Sequence, residues 1–186
     1  LLWSSSGTGI FDDNTIEDPC YAFSPEDILM GGVELCITAQ PIDPCAVAEE
    51  ECFTVSFQPQ PMASAGTDAE ICEGDFVQLN GMVSDACGYY WYSNGDGTFS
   101  NSGLLTSTYN PGTGDVAAGS VEICLVAEPC TPCTVEHTDC ITVFIQAAPA
   151  IDPLGDLTIC ETDVPVCIDA TVLNAASLLW SSSGDG

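Results

Sequence analysis

The chain has 186 residues, 46% of them hydrophobic, with 28 acidic side chains, no Lys or Arg, and a net charge of −28 at pH 7. That apolar content is ample for a packed core, so the acidity does not signify disorder. The lack of cations excludes docking on nucleic-acid phosphate or anionic lipid, and with it lysine Schiff bases, P-loops and arginine fingers.

Taken in order, the chain states one stretch three times. Residues 1–9 read LLWSSSGTG, residues 89–97 read YYWYSNGDG and residues 178–186 read LLWSSSGDG. Each has two bulky apolar residues, a Trp, three small polar or aromatic residues and a Gly-x-Gly turn, the pattern of a buried strand entering a hairpin. Trp3 and Trp91 are 88 residues apart, and Trp91 and Trp180 are 89 apart. That period is too long for a solenoid repeat and suits one small β-sandwich.

Between these landmarks the first copy predicts the second. At an offset of 88, Phe11, Tyr21 and Asp27 align with Phe99, Tyr109 and Asp115, and Gly31, Val33, Glu34 and Cys36 with Gly119, Val121, Glu122 and Cys124. Pro41, Cys45, Cys52, Thr54, Val55 and Gln58 align with Pro129, Cys133, Cys140, Thr142, Val143 and Gln146. Asp68, Ile71, Cys72, Glu73 and Asp75 recur as Asp156, Ile159, Cys160, Glu161 and Asp163. One inserted residue then places Val77, Leu79 and Val83 opposite Val166, Ile168 and Val172.

The complete copy reads as short strands. Residues 76–84 alternate, with Val77, Leu79 and Val83 inward, and residues 88–93 carry Trp91 as a core residue. Residues 104–110 end in Tyr109, and 120–127 and 139–146 alternate strongly. Residues 111–119 are too short and Gly-rich for more than one helical turn. About seven strands with one core Trp make an all-β chain of tandem immunoglobulin-like β-sandwiches, one complete and two partial. The division expected is 1–58 as the C-terminal part of one domain, 59–147 as a complete domain, and 148–186 as the N-terminal part of the next. Short Pro-bearing linkers such as Gln58–Met62 join them.

Over the segments AGTDAEICEGDFVQLNG, YYWYSNGDGTFS and STYNPGTGDVAAGSVEICLVAEPC, the chain resembles the Ig-like or PKD-like repeats of giant secreted surface proteins of gliding bacteria. The resemblance implies an extracellular tandem-domain stalk or adhesin at the cell surface. It names no ligand. The chain differs from that pattern in its additional cysteines and its lack of basic residues.

Twelve cysteines with a single His point to disulfides in an oxidising, extracellular compartment, and one isolated CxxC, Cys130 with Cys133, lacks the second half of a zinc finger. Cysteines present in only one copy are expected to pair with each other, which gives Cys87–Cys130 and Cys20–Cys167. Among the shared positions, Cys124 and Cys140 flank the final hairpin, so a cross-strand Cys124–Cys140 bridge is expected, with Cys36–Cys52 its counterpart. Cys72–Cys133 and Cys45–Cys160 follow, against the rival Cys72–Cys124, an inter-sheet bridge of the antibody type. Cys45–Cys160 and Cys20–Cys167 join the beginning of the chain to its end, so they are expected to close with an adjoining copy.

Calcium is the candidate cofactor. Asp12, Asp13, Glu17, Asp18 and Asp96 stand in oxygen-rich turns, and Ca²⁺ takes six to eight oxygens, although none has EF-hand spacing. The only His, His137, reads as a solvated loop residue, and a small repeated sandwich offers no deep pocket, so no enzyme is expected. The partners expected are adjoining copies of the same unit, with no nucleic acid and no direct membrane insertion. The function expected is the structural repeat of a disulfide-stapled filament or fibre. The alternative is a ligand-binding adhesin repeat in a cell-surface stalk, its surface ligand unknown.

Overall fold

The computed structural model describes residues 1–152, 154–160 and 165–184. Glu161, Asp163, Asp185 and Gly186, which take part in the sequence repeat, lie outside the described residues. The chain divides into two compact units: Leu1–Gln60 with Cys130–Thr134, and Pro61–Pro129 with Val135–Gly186.

The first unit holds β1 (Leu2–Ser5), β2 (Ile10–Phe11), β3 (Tyr21–Ala22), α1 (Pro25–Leu29), β4 (Gly32–Ala39) and β5 (Glu49–Ser56). Strands β1, β4 and β5 form an antiparallel sheet with β4 central, and β2 pairs with β3. Helix α1 starts where Ser24 Oγ accepts from the Asp27 N–H while the Ser24 N–H donates to the Asp27 carboxylate, a reciprocal cap that satisfies orphan donors. Gly31, at φ +80°, makes the left-handed turn after the helix.

The second unit continues with β6 (Met62–Ser64), β7 (Ala69–Cys72), β8 (Val77–Asn80), β9 (Met82–Ser84), β10 (Ala86–Ser93), β11 (Thr98–Phe99), β12 (Thr106–Asn110), α2 (Thr113–Ala118), β13 (Ser120–Pro129) and β14 (His137–Gln146). Two short strands, β15 (Ala150–Ile151) and β16 (Val172–Leu173), follow and pair with each other. One sheet runs β10-β13-β14-β7, antiparallel except that β7 lies parallel to β14. The facing layer is β11-β12-β8 with the β6–β9 pair. Trp91, Tyr109, Leu79, Ile123, Leu125 and Val143 fill the space between the layers. This is an immunoglobulin-like sandwich, and the chain is all-β, with two short helices among the described residues.

Three local details depart from the sequence reading. The run 76–84 is not one strand but two, because at Gly81 the backbone turns against the core. A Cβ there would come within 2.6 Å of Leu125 Cδ2 and 2.7 Å of Trp91 Cζ2. Strand β8 pairs with β12, and β9 crosses to β6. Met62, read as linker, opens a strand, and α2 runs six residues, somewhat more than one turn.

Candidate functional site

The repeated turn is held by a buried carboxylate. In the second unit Asp115, on α2, accepts from the backbone N–H of Asp96 (3.1 Å), Gly97 (3.1 Å) and Gly112 (3.0 Å) and from the Tyr109 hydroxyl (2.8 Å). Asp27 repeats the arrangement in the first unit, with Thr8 (2.8 Å), Gly9 (3.1 Å), Ser24 (3.0 Å) and the Tyr21 hydroxyl (3.2 Å) as donors. Gly95 must be glycine, since a Cβ would collide with Asp115 Oδ1. Burial pushes the Asp27 carboxyl up, but the donors at Ser24, Thr8, Tyr21 and Gly9 outweigh it and hold it below the usual range. Burial raises the Tyr109 hydroxyl, and its bond to Asp115 adds to that.

The tryptophans repeat too. Trp91 Nε1–H donates to the Leu104 carbonyl at 3.0 Å and Trp3 Nε1–H to that of Ile16 at 3.1 Å, so each ring locks the loop ahead of the Tyr strand.

Three of the calcium candidates, Asp12, Asp13 and Asp96, accept hydrogen bonds from nearby backbone. Asp12 Oδ1 accepts from the N–H of Asp13 and Cys20. Asp13 Oδ1 accepts from the Thr15 N–H and hydroxyl. Asp96 accepts from the N–H of Gly114 and Asp115 at the start of α2. The Thr15 hydroxyl and N–H lower the Asp13 carboxyl, and the N–H groups of Gly114 and Asp115 lower that of Asp96. Glu17 and Asp18 are exposed in the loop before Cys20. Among the described residues, the donor groups brought within 4.8 Å are Glu34 with Cys36 and Cys52, and Glu122 with Cys124 and Cys140. Both contain disulfide sulfurs, which are not thiolate ligands, and neither contains a calcium candidate.

His137 is not a loop residue. It opens β14, and its Nδ1 accepts from the Ala63 N–H at 3.1 Å, while Asp139 accepts from the Ala65 N–H at 2.7 Å. These two side chains give β6 the acceptors that a neighbouring strand would otherwise supply. A polar stretch before an apolar alternation gave no sign of this.

Cys36 and Cys52 are bonded, as are Cys124 and Cys140, each pair directly opposite across a hairpin with Cα atoms 4.0 Å apart. Cys87 and Cys130 are each disulfide-bonded as well. Cys20, Cys45, Cys72, Cys133, Cys160 and Cys167 carry free thiols. The expected Cys72–Cys133 bridge is therefore absent, and the topology explains it. Cys72 pairs with Gln146, the last residue of β14, whereas Cys133 precedes its first. Ten residues of strand, on the order of 30 Å, separate those ends. Cys45 and Cys160, like Cys20 and Cys167, are expected to bond only to an adjoining copy, and all four thiols are free in the single chain. The rival Cys72–Cys124 is excluded because Cys124 is already bonded. The Cys133 Sγ–H donates to the Gln58 carbonyl at 3.3 Å within the first unit.

Equivalent positions differ sharply in exposure. Ile141 of β14 is 5% exposed, but its counterpart Phe53 of β5 is 51% exposed. Leu125 and Ala127 are fully buried, whereas Ile37 is half-buried and Ala39 exposed. The buried face in the second unit is covered by β6, β8 and their neighbours. Residues after β14 show the converse: Ile168 is 60% exposed against 1% for Leu79, and Trp180 58% against 2% for Trp91. Leu157, Ile159, Val166, Cys167, Ile168 and Trp180 line an open apolar cleft of about 460 Å³.

No protein-family model matches the sequence, and neither does any curated protein. Among solved structures, the chain is similar to human mucin-like protocadherin EC1-2 at 10% identity and a TM-score of 0.42, over 80% of this chain and 84% of that one. It is also similar to protocadherin gammaB7 EC3-6, described as a cis-dimer, at 13% identity and a TM-score of 0.43, over 82% of this chain and 42% of that one. Protocadherin Gamma B7 cadherin domains 1-4 give 10% identity and a TM-score of 0.41, over 84% and 45%. The chain thus spans under half of either gammaB7 structure. Likenesses this distant carry no argument about function. Among the described residues, no helix is long and apolar enough to cross a membrane.

Proposed function

We propose that the chain is a structural repeat of about two immunoglobulin-like domains in an extracellular, disulfide-stapled filament or fibre, completed by the next copy along the fibre. One observation carries this reading: side chains that are core in the complete sandwich are uncovered at the equivalent positions before and after it. Exposed apolar surface of this kind marks an interaction site, and here the repeat states what covers it elsewhere. The three-part division at 58/59 and 147/148 belongs to this proposal, as does the kinship with the secreted surface proteins of gliding bacteria. The role is mechanical and adhesive, with no catalytic step. It is supported by the cross-strand disulfides, which suit an oxidising compartment.

Negative-stain electron microscopy of the oxidised, concentrated protein tests the reading. Beaded filaments with a regular spacing are expected. Monodisperse single particles at every concentration would refute it.

A further inference from the structure

Strand registers in the complete sandwich, carried to the equivalent positions, assign a partner to each free thiol. We propose that segments 149–152, 154–160 and 165–173 of a second copy close the open face of the first unit, and that three disulfides lock the junction. These join Cys20, Cys133 and Cys45 to Cys167, Cys160 and Cys72 of the adjoining copy. This rests on the repeat-unit reading above and deepens it by naming the contact.

Cys20 and Cys167 occupy the positions of Thr108 and Gln78. In the complete sandwich those two residues are direct partners on antiparallel β12 and β8. Opposed Cα atoms in such a pair lie about 4.5–5.5 Å apart, inside the disulfide range of about 4.4–6.8 Å. Val166 and Ile168, flanking Cys167, take the places of Val77 and Leu79. In the complete sandwich those two are core residues with Trp91. In the completed domain they meet the half-buried Trp3.

Cys160 holds the position of Cys72, which pairs with Gln146 at the end of β14. The matching partner in the first unit is Gln58. A strand added there lies about 4.8 Å away, and the Cys133 sulfur already rests 3.3 Å from the Gln58 carbonyl. Cys160 of the adjoining copy thus arrives beside Cys133. Cys45 and Cys72 repeat the same junction one domain earlier. Cys45 and Cys133 sit in matching turns, the Cys45 N–H donating to Ile42 and the Cys133 N–H to Cys130. Further acceptors wait on β5. Glu49 and Glu51 are exposed where His137 and Asp139 accept the β6 N–H groups.

Each bond forms by thiol–disulfide exchange with a low-molecular-weight disulfide. Two cysteine thiols give up two protons and two electrons, one Sγ–Sγ bond forms, and the reagent's S–S bond is cleaved to two thiols. All six free thiols are consumed, and no cysteine of an interior copy is left over.

The test is assembly of the whole chain in a glutathione redox buffer. Non-reducing gels read the products, and mass spectrometry reads cross-linked peptides after cleavage by a Glu-specific protease. A ladder in steps of 19.4 kDa is expected, with Cys20–Cys167, Cys133–Cys160 and Cys45–Cys72 peptides. Ile168→Asp, at an exposed side chain, should leave the monomer folded by circular dichroism and reduce assembly at least tenfold. A ladder carrying other cysteine pairs, or one indifferent to Ile168→Asp, would overturn this junction while leaving the proposed function. Monomers whose six thiols pair within one chain would overturn both.

Discussion

Replacing Asp115 by Ala removes the acceptor that binds the Trp turn to α2. The Tyr109 hydroxyl is fully buried and would lose Asp115, the acceptor for its proton, at a cost of about 1–3 kcal/mol. The N–H groups of Asp96, Gly97 and Gly112 lie on partly accessible turns, where water recovers some of the loss, leaving about 0.5–1 kcal/mol each. The sum is about 4 kcal/mol, a large share of the roughly 5–15 kcal/mol that stabilises a domain. Asp115→Asn keeps one acceptor oxygen but turns an amide N–H toward one of the donors, and should cost about 2 kcal/mol. Tyr109→Phe should cost about 1–2 kcal/mol. The double variant should fall short of the sum of the singles by about 1 kcal/mol, because the two groups share a bond. Urea denaturation followed by Trp91 fluorescence, in a Trp3→Phe, Trp180→Phe background, reads these values from the midpoint at unchanged slope. If Asp115→Ala shifts stability by less than about 1 kcal/mol, the carboxylate is not the organising group and the reasoning fails.

Acid should weaken both units. Asp27 and Asp96 have folded values depressed below the unfolded one, so their contribution is complete above about pH 4 and disappears as pH falls through the folded values. Relief of like-charge repulsion acts the other way, so at fixed ionic strength the melting temperature should peak near pH 4–5 and fall below it; a value still rising at pH 3 contradicts this. A chelator should leave the melting temperature unchanged if the N–H and O–H donors around Asp12, Asp13 and Asp96 suffice to hold those turns, and a drop of several degrees would support a calcium role. Trp91→Ala should cost about 3–5 kcal/mol through its cavity. Trp3→Ala should cost clearly less in the isolated chain, since that ring is only half-buried; equal losses in denaturant titrations would contradict an open first unit.

Periodicity and the repeat made much of this fold legible. The offset of 88 carries β1 into β10, β4 into β13 and β5 into β14, and it carries the Cys36–Cys52 hairpin onto Cys124–Cys140. What it could not reveal was direction. Strand β7 runs parallel to β14, and that single reversal places Cys72 beside Gln146, the last residue of β14, and not beside its first. No pattern of side chains in Ala69–Cys72 distinguishes a parallel neighbour from an antiparallel one. Gly81 looked like a residue within a strand because alternation continues across it, whereas the backbone's approach to Trp91 is a tertiary fact. Asp27 and Asp115 were visible as a matched pair, but their burial depends on the Tyr hydroxyl and turn amides that meet them only after folding.

A chain of 28 acids without Lys or Arg must answer its carboxylates some other way. The structure answers them with backbone N–H groups. Asp68 accepts from Thr142 at 2.8 Å, Glu73 from Ala148 at 2.9 Å and Asp139 from Ala65 at 2.7 Å, in addition to the bonds made by Asp12, Asp27, Asp96 and Asp115. Such bonds cap turns and fasten strand edges, and they are charge-assisted without a cation. They would do nothing in the proposed junction between copies, where two surfaces of the same sign would meet. There the attraction would have to come from apolar side chains such as Phe53 and Ile168 and from covalent sulfur bonds, which salt and pH near neutrality do not weaken. Assembly should accordingly speed up as salt screens the approach, while a finished, oxidised junction should survive transfer back to low salt. Dissociation of oxidised material at low ionic strength would show that charge, and not the staple, governs the contact.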